Sequence, residues 1–76
     1  MTFPPHGRVV EISKVDEYGF IETAERRVYF SRASVLDGAF DDLTVGSPVA
    51  FVEEAGEKGP QASTVRVLGK HHDVAP

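Results

Sequence analysis

Two short segments of this chain have the alternation of a β-strand with one buried and one aromatic face. They are YGFI at residues 18–21 and VYF at residues 28–30. Side chains on a strand point to opposite faces in turn, so strands that bury Ile21 and Val28 direct three rings to solvent. Those rings are Tyr18, Phe20 and Tyr29. A surface patch of this kind binds stacked nucleobases in some proteins; the alternative is a patch that packs on the chain termini or on a partner protein.

Turn-forming residues divide the chain into five short segments with strand character. The second and third are separated by only three residues, which predicts an antiparallel hairpin. In the first, Val9 and Ile12 both face inward only if a bulge near residues 10–11 adds one residue. One helical turn is predicted at residues 32–35, and a loop follows at 36–46. The predicted strands span residues 8–14, 18–23, 27–31, 48–53 and 61–68.

Five short strands without a long helical period predict an all-β fold, a small closed antiparallel barrel. Closure removes the exposed edges that an open sheet would leave. Gly19 lies on the inward side between two of the rings, where a small residue lets the sheet coil tightly. The predicted core consists of Val9, Ile12, Ile21, Val28, Phe30, Val35, Leu43, Val49, Phe51, Ala62, Val65 and Val67.

The length and composition limit what this barrel can be. Seventy-six residues hold one domain with a thin core. There is no cysteine, no apolar run long enough for a membrane span, and no signal-peptide pattern in residues 1–6. We therefore expect a cytoplasmic protein without a membrane partner. The net charge of −4 argues against a strongly basic nucleic-acid binder, although local contacts can outweigh a screened net charge.

No arrangement of residues in the sequence predicts catalysis or a cofactor. All three histidines lie near the termini, so no Ser-His-Asp group can be placed on the barrel. The HHD run at residues 71–73 resembles a metal-ligand cluster, but adjacent histidines on a polar tail lack a fixed geometry and supporting hydrogen bonds. We expect no enzyme activity, no metal site and no cofactor.

Five motifs, taken in order, resemble those of the bacterial cold-shock domain. They are GxV at residues 7–9, YGFI at 18–21, VYF at 28–30, LxxGxxVxF at 43–51 and GPQAxxV at 59–65. The resemblance implies a domain at residues 7–68 with a barrel of the oligonucleotide-binding (OB) type, a lead at 1–6 and a polar tail at 69–76. It also implies binding of single-stranded RNA or DNA by stacking, without a cofactor, as in an RNA chaperone or a modulator of transcription or translation.

The resemblance assigns roles to individual residues. Tyr18, Phe20 and Tyr29 match stacking positions. Phe40 matches a further one, with anchoring of its own loop as the alternative. Lys58 and Gln61 match a basic and a base-contacting position, and Gln61 can instead cap the turn after Pro60. Lys14, Arg32 and Lys58 are our candidates for contacts to phosphate, although surface cations are usually only solvated.

The sequence also departs from the family pattern at the predicted site. Glu11 replaces a tryptophan, Asp16 and Glu17 replace a basic residue and a glycine, and Arg32 replaces an aromatic residue. Two further departures are Val10 for a lysine and Ser31 for a histidine. We therefore expect weaker binding than in typical members. The alternative is a protein-interaction module on the same barrel, as a monomer or a weak dimer through the aromatic patch.

Overall fold

The computed structural model describes residues 5–57 and 59–69, which form five strands and two short 3-10 helices. The strands are β1 (His6–Ser13), β2 (Tyr18–Glu22), β3 (Arg27–Ser31), β4 (Pro48–Gly56) and β5 (Gly59–Val67). The 3-10 helices span Arg32–Ser34 and Leu36–Asp42. This part of the chain contains no helix with the length and hydrophobicity that a membrane crossing requires.

The strands close into a barrel in the order β1-β2-β3-β5-β4, which confirms the predicted all-β barrel. Four of the five strand pairs are antiparallel, including the predicted β2–β3 hairpin. β3 and β5 pair in parallel, through the single backbone pair Tyr29 and Gln61. This contact brings the last strand beside the aromatic face.

A bulge in β1 lies where the sequence predicts it. Val9 pairs with Ile21 and Glu11 pairs with Phe20, so Val10 has no partner on β2. After the extra residue, the alternation of inward and outward side chains is reversed. Val9 and Ile12 can therefore both pack on the core. A second irregularity, between Val52 and Glu53 of β4, was not predicted.

The core inside the barrel contains ten of the twelve predicted residues as buried side chains. The other two, Ile12 and Val67, are partly buried and pack against it. Ala50 and Phe40 are buried as well, and the sequence analysis did not place either in the core. Phe40 belongs to the second 3-10 helix, in a segment predicted as a loop.

The barrel begins earlier in the chain than the motifs indicate. His6 is the first residue of β1 and pairs with Ala50, and the carbonyl of Pro5 accepts a hydrogen bond from the N–H of Phe51 at 3.0 Å. The predicted lead at residues 1–6 therefore includes two residues of the fold. Residues 1–4 and the predicted tail from residue 70 onward, with its histidine pair, lie outside the described residues.

We expect Gly19→Ala to destabilise the barrel, because Gly19 faces the core and a Cβ there would lie 2.6 Å from Cζ of Phe30 and 2.8 Å from the carbonyl oxygen of Glu11. Overpacking of this kind costs about 1–3 kcal/mol. Urea unfolding of the variant measures the loss. The cost should be smaller in a Phe30→Leu background, where one of the two clashing groups is shortened. Equal costs in both backgrounds would contradict the Phe30 contact.

Candidate nucleic-acid interface

Three aromatic rings form a platform on the outer face of β2 and β3. The platform consists of Tyr18, Phe20 and Tyr29. Phe20 lies directly opposite Tyr29 in the antiparallel register, and Tyr18 lies opposite Ser31. This register follows from the inward side of the same strands, where Ile21 pairs with Val28 in the core. The alternation in the sequence therefore accounts for the position of all three rings.

The rings contact one another and remain accessible. The centroids of Tyr18 and Tyr29 are 6.0 Å apart with nearly parallel planes (25°). Phe20 meets both rings edge to face, at 6.0 Å from Tyr18 and 5.7 Å from Tyr29. Tyr29 is 39% exposed, while Tyr18 and Phe20 are half-buried. Such contacts hold the rings in place before any ligand arrives.

Acidic side chains border the platform. Glu11 lies opposite Phe20 across the β1–β2 pair, and its carboxylate is 3.9 Å from Nη1 of Arg27. At the other end, the exposed residues Asp16 and Glu17 belong to the turn between β1 and β2. Glu17 has φ +62°, a left-handed conformation that glycine adopts most readily. This geometry agrees with the glycine that the family pattern has at this position.

One cluster of side chains joins the β1–β2 turn to the second 3-10 helix. We call it the Arg32 cluster, and its members are Lys14, Glu17, Arg32, Phe40 and Asp41. Arg32 donates three hydrogen bonds of 2.9–3.0 Å to the carboxylate of Asp41, and its Nε is 3.5 Å from Glu17. Lys14 donates to the carbonyls of Phe40 and Asp41 at 3.1 and 2.8 Å.

Phe40 is not an exposed ring in this structure, which corrects its assignment as a stacking position. Its side chain is 1% exposed and packs edge to face on Phe30, with 6.3 Å between centroids. The cations of Lys14 and Arg32 lie 5.4 and 5.1 Å from its centroid. A ring covered in this way anchors its helix to the barrel, as the alternative interpretation expected.

Gln61 lies beside the platform because it pairs with Tyr29. Its side chain is half-buried and donates a hydrogen bond of 3.1 Å to Glu54. The side chain therefore contacts the neighbouring strand β4, whereas capping of the turn after Pro60 was one of two alternatives from the sequence. The remaining candidate, Lys58, lies outside the described residues.

Arg26, in the β2–β3 turn, is already neutralised by carboxylates away from the platform. Its Nε donates to Glu53 at 3.0 Å, and Nη1 donates to Glu25 at 3.0 Å. These contacts, with Glu53 first, raise the pKa of Arg26 above its ordinary value. Among residues 5–57 and 59–69 there is no cluster of three potential metal ligands.

Two carboxylates at the site were not predicted from the sequence: Asp41, which holds Arg32, and Glu54, which accepts a hydrogen bond from Gln61. The sequence gives little indication that Arg32 pairs with Asp41, because the two are nine residues apart in a segment without a regular period. Only the chain path through the second 3-10 helix, where Asp37 and Gly38 take left-handed φ values of 60° and 64°, brings the two together.

A closed five-stranded barrel with an aromatic outer face defines the class of OB-type nucleic-acid-binding domains. The chain matches the family described as the 'Cold-shock' DNA-binding domain over residues 6–68. It therefore belongs to the cold-shock domain family, which is a nucleic-acid-binding family and not a family of enzymes.

Phe20 and Phe40 should respond very differently to the same truncation. Phe40→Ala removes a ring from the core and should lower the free energy of unfolding by about 3–5 kcal/mol. Phe20→Ala removes a surface ring and should cost about 1 kcal/mol, from the ring contacts that are lost. Urea unfolding of the two variants provides the comparison. Equal losses would contradict the assignment of one ring to the core and the other to the surface.

Proposed function

We propose that this protein binds single-stranded RNA or DNA by stacking a few bases on Tyr18, Phe20 and Tyr29. The observation that carries the proposal is the accessible platform itself, with three rings on adjacent strands and centroids no more than 6.0 Å apart. Stacking tolerates any base, because every base has a π-face. Sequence preference should therefore be slight.

The proposed binding uses only the protein surface. It requires no nucleotide hydrolysis and no cofactor, because stacking and contacts to phosphate are equilibrium interactions. A protein that keeps RNA unpaired in this way acts as an RNA chaperone, or affects transcription or translation where the unpaired segment matters. Gln61, which pairs with Tyr29, is a polar candidate for contact to the edge of a stacked base.

Binding should be weaker than in family members with a complete platform. Glu11 lies where the family pattern has a tryptophan, and stacking is worth about 1–3 kcal/mol per base. The carboxylates of Glu11, Asp16 and Glu17 also repel a phosphate backbone at low ionic strength. These features favour contacts to few nucleotides.

Phe20→Ala should weaken the binding of a labelled pyrimidine strand of about eight nucleotides roughly 5-fold to 150-fold. The reason is the loss of one of the three stacking rings of the platform. Fluorescence titration at low salt measures the affinity. Val52→Ala is the matched control, since Val52 is an exposed apolar residue (53%) on β4, which pairs with neither β2 nor β3.

Affinity that is unchanged in Phe20→Ala, or reduced equally in the Val52 control, would contradict the stacking platform.

No binding by the wild type, even at low salt, would favour the protein-interaction alternative. A specific observation supports that alternative: the carboxylates beside the platform already neutralise Arg27 and Arg32. Concentration-dependent sedimentation then distinguishes self-association from binding to another protein.

The salt dependence of binding should report the cations that contact phosphate. If Lys14, Arg32 and Lys58 each neutralise one phosphate of a single strand, log K should fall against log salt with a slope of about −2, from ~0.7 per phosphate. The same titration, repeated over a range of salt concentrations, gives the slope. A slope near zero would exclude a contribution from these cations and leave stacking alone.

A further inference from the structure

The Arg32–Asp41 ion pair has the geometry that a bound phosphate would have. Both terminal nitrogens of the guanidinium donate to the Asp41 carboxylate, at 2.9–3.0 Å. A planar guanidinium binds carboxylate and phosphate oxygens through the same pair of donors. A phosphate that accepts hydrogen bonds from the two terminal nitrogens of Arg32 must therefore replace Asp41.

Arg32 lies next to the platform, so the group that contacts its guanidinium affects the binding of a strand. It follows β3 directly, and its backbone N–H donates to the carbonyl of Glu17 at 2.9 Å, one residue before Tyr18. A strand stacked on Tyr18 would pass its phosphates close to this guanidinium. In the structure, however, the guanidinium contacts Asp41 and Glu17, and both of these are carboxylates.

The helix that carries Asp41 is fixed to the barrel. Phe40, the preceding residue, is buried, and Lys14 donates to the carbonyls of Phe40 and Asp41. Asp41 therefore does not need to be ordered when it pairs with Arg32, and little conformational entropy opposes the pair. The pair itself is open to solvent, with side chains 39% and 69% exposed. It can be broken without unfolding the helix.

We propose that Asp41 sets the affinity of the platform for anionic strands by holding Arg32 in an ion pair that phosphate must displace. The proposal rests on the proposed function and identifies a residue that limits it. Asp41 acts through Arg32 and touches no ligand itself. Because exposed ion pairs are weak, the pair should lower the affinity without abolishing binding.

Asp41→Asn tests the proposal directly. The substitution keeps the shape of the side chain and removes the charge that competes with phosphate. We expect binding of a labelled pyrimidine strand to become about two- to five-fold tighter. Asp37→Asn is the matched control: it makes the same change of charge on the same 3-10 helix, and asparagine tolerates the left-handed φ of 60° there.

A double-mutant cycle with Arg32→Gln separates displacement from general repulsion. If Asp41 acts by holding Arg32, Asp41→Asn should tighten binding in the wild-type background and have no effect once Arg32 is replaced. If Asp41 only repels the strand, the gain persists in the Arg32→Gln background, and the proposal is overturned.

The outcomes for the ion pair and for the platform are distinguishable. Wild-type binding together with equal affinities of Asp41→Asn and Asp37→Asn would overturn the role of Asp41 and leave the stacking platform intact. Binding by Asp41→Asn alone would support the role of Asp41 and contradict the proposed binding by the wild-type protein. Failure of the wild type and of Asp41→Asn to bind would overturn both, because a platform freed of its competing carboxylate should then bind.

Discussion

The register between β2 and β3 positions both the core and the aromatic platform. On the inner side, Phe30 packs against Gly19, where no larger residue fits, and Ile21 pairs with Val28. On the outer side, the same register places Phe20 opposite Tyr29. A shift by one residue would exchange the two faces and bury the platform. The core therefore holds the rings in position, and a ligand does not have to order them.

The arginines beside the platform are paired with carboxylates. Arg27 contacts Glu11, and Arg32 contacts Asp41 and Glu17. Positive charge that would attract a phosphate backbone is thereby balanced by nearby carboxylates. Attraction at long range is weak for such pairs, because opposite charges close together largely cancel at a distance and salt screens the remainder beyond about a Debye length. Association should then depend on short-range stacking, which is consistent with a domain of net charge −4.

Much of the fold was predictable because its signals are local. Alternation located the strands, and the mismatch between Val9 and Ile12 predicted the bulge in β1 that the register shows. The same reasoning failed for Phe40. Its segment has no regular period, so the sequence does not indicate which way the ring points. Packing against Phe30 and the covering cations of Lys14 and Arg32 decided its burial.

Local sequence patterns are enough to predict the five strands, most of the core and the outward direction of the three platform rings, because strand geometry couples each side chain to its immediate neighbours. Tertiary structure alone decided which groups meet across the chain. The parallel contact of Tyr29 with Gln61, the pairing of Arg32 with Asp41 and the burial of Phe40 all depend on the closure of the barrel and on the left-handed turn at Asp37. Contacts of this kind depend on the path of the chain in three dimensions, and no local pattern encodes them.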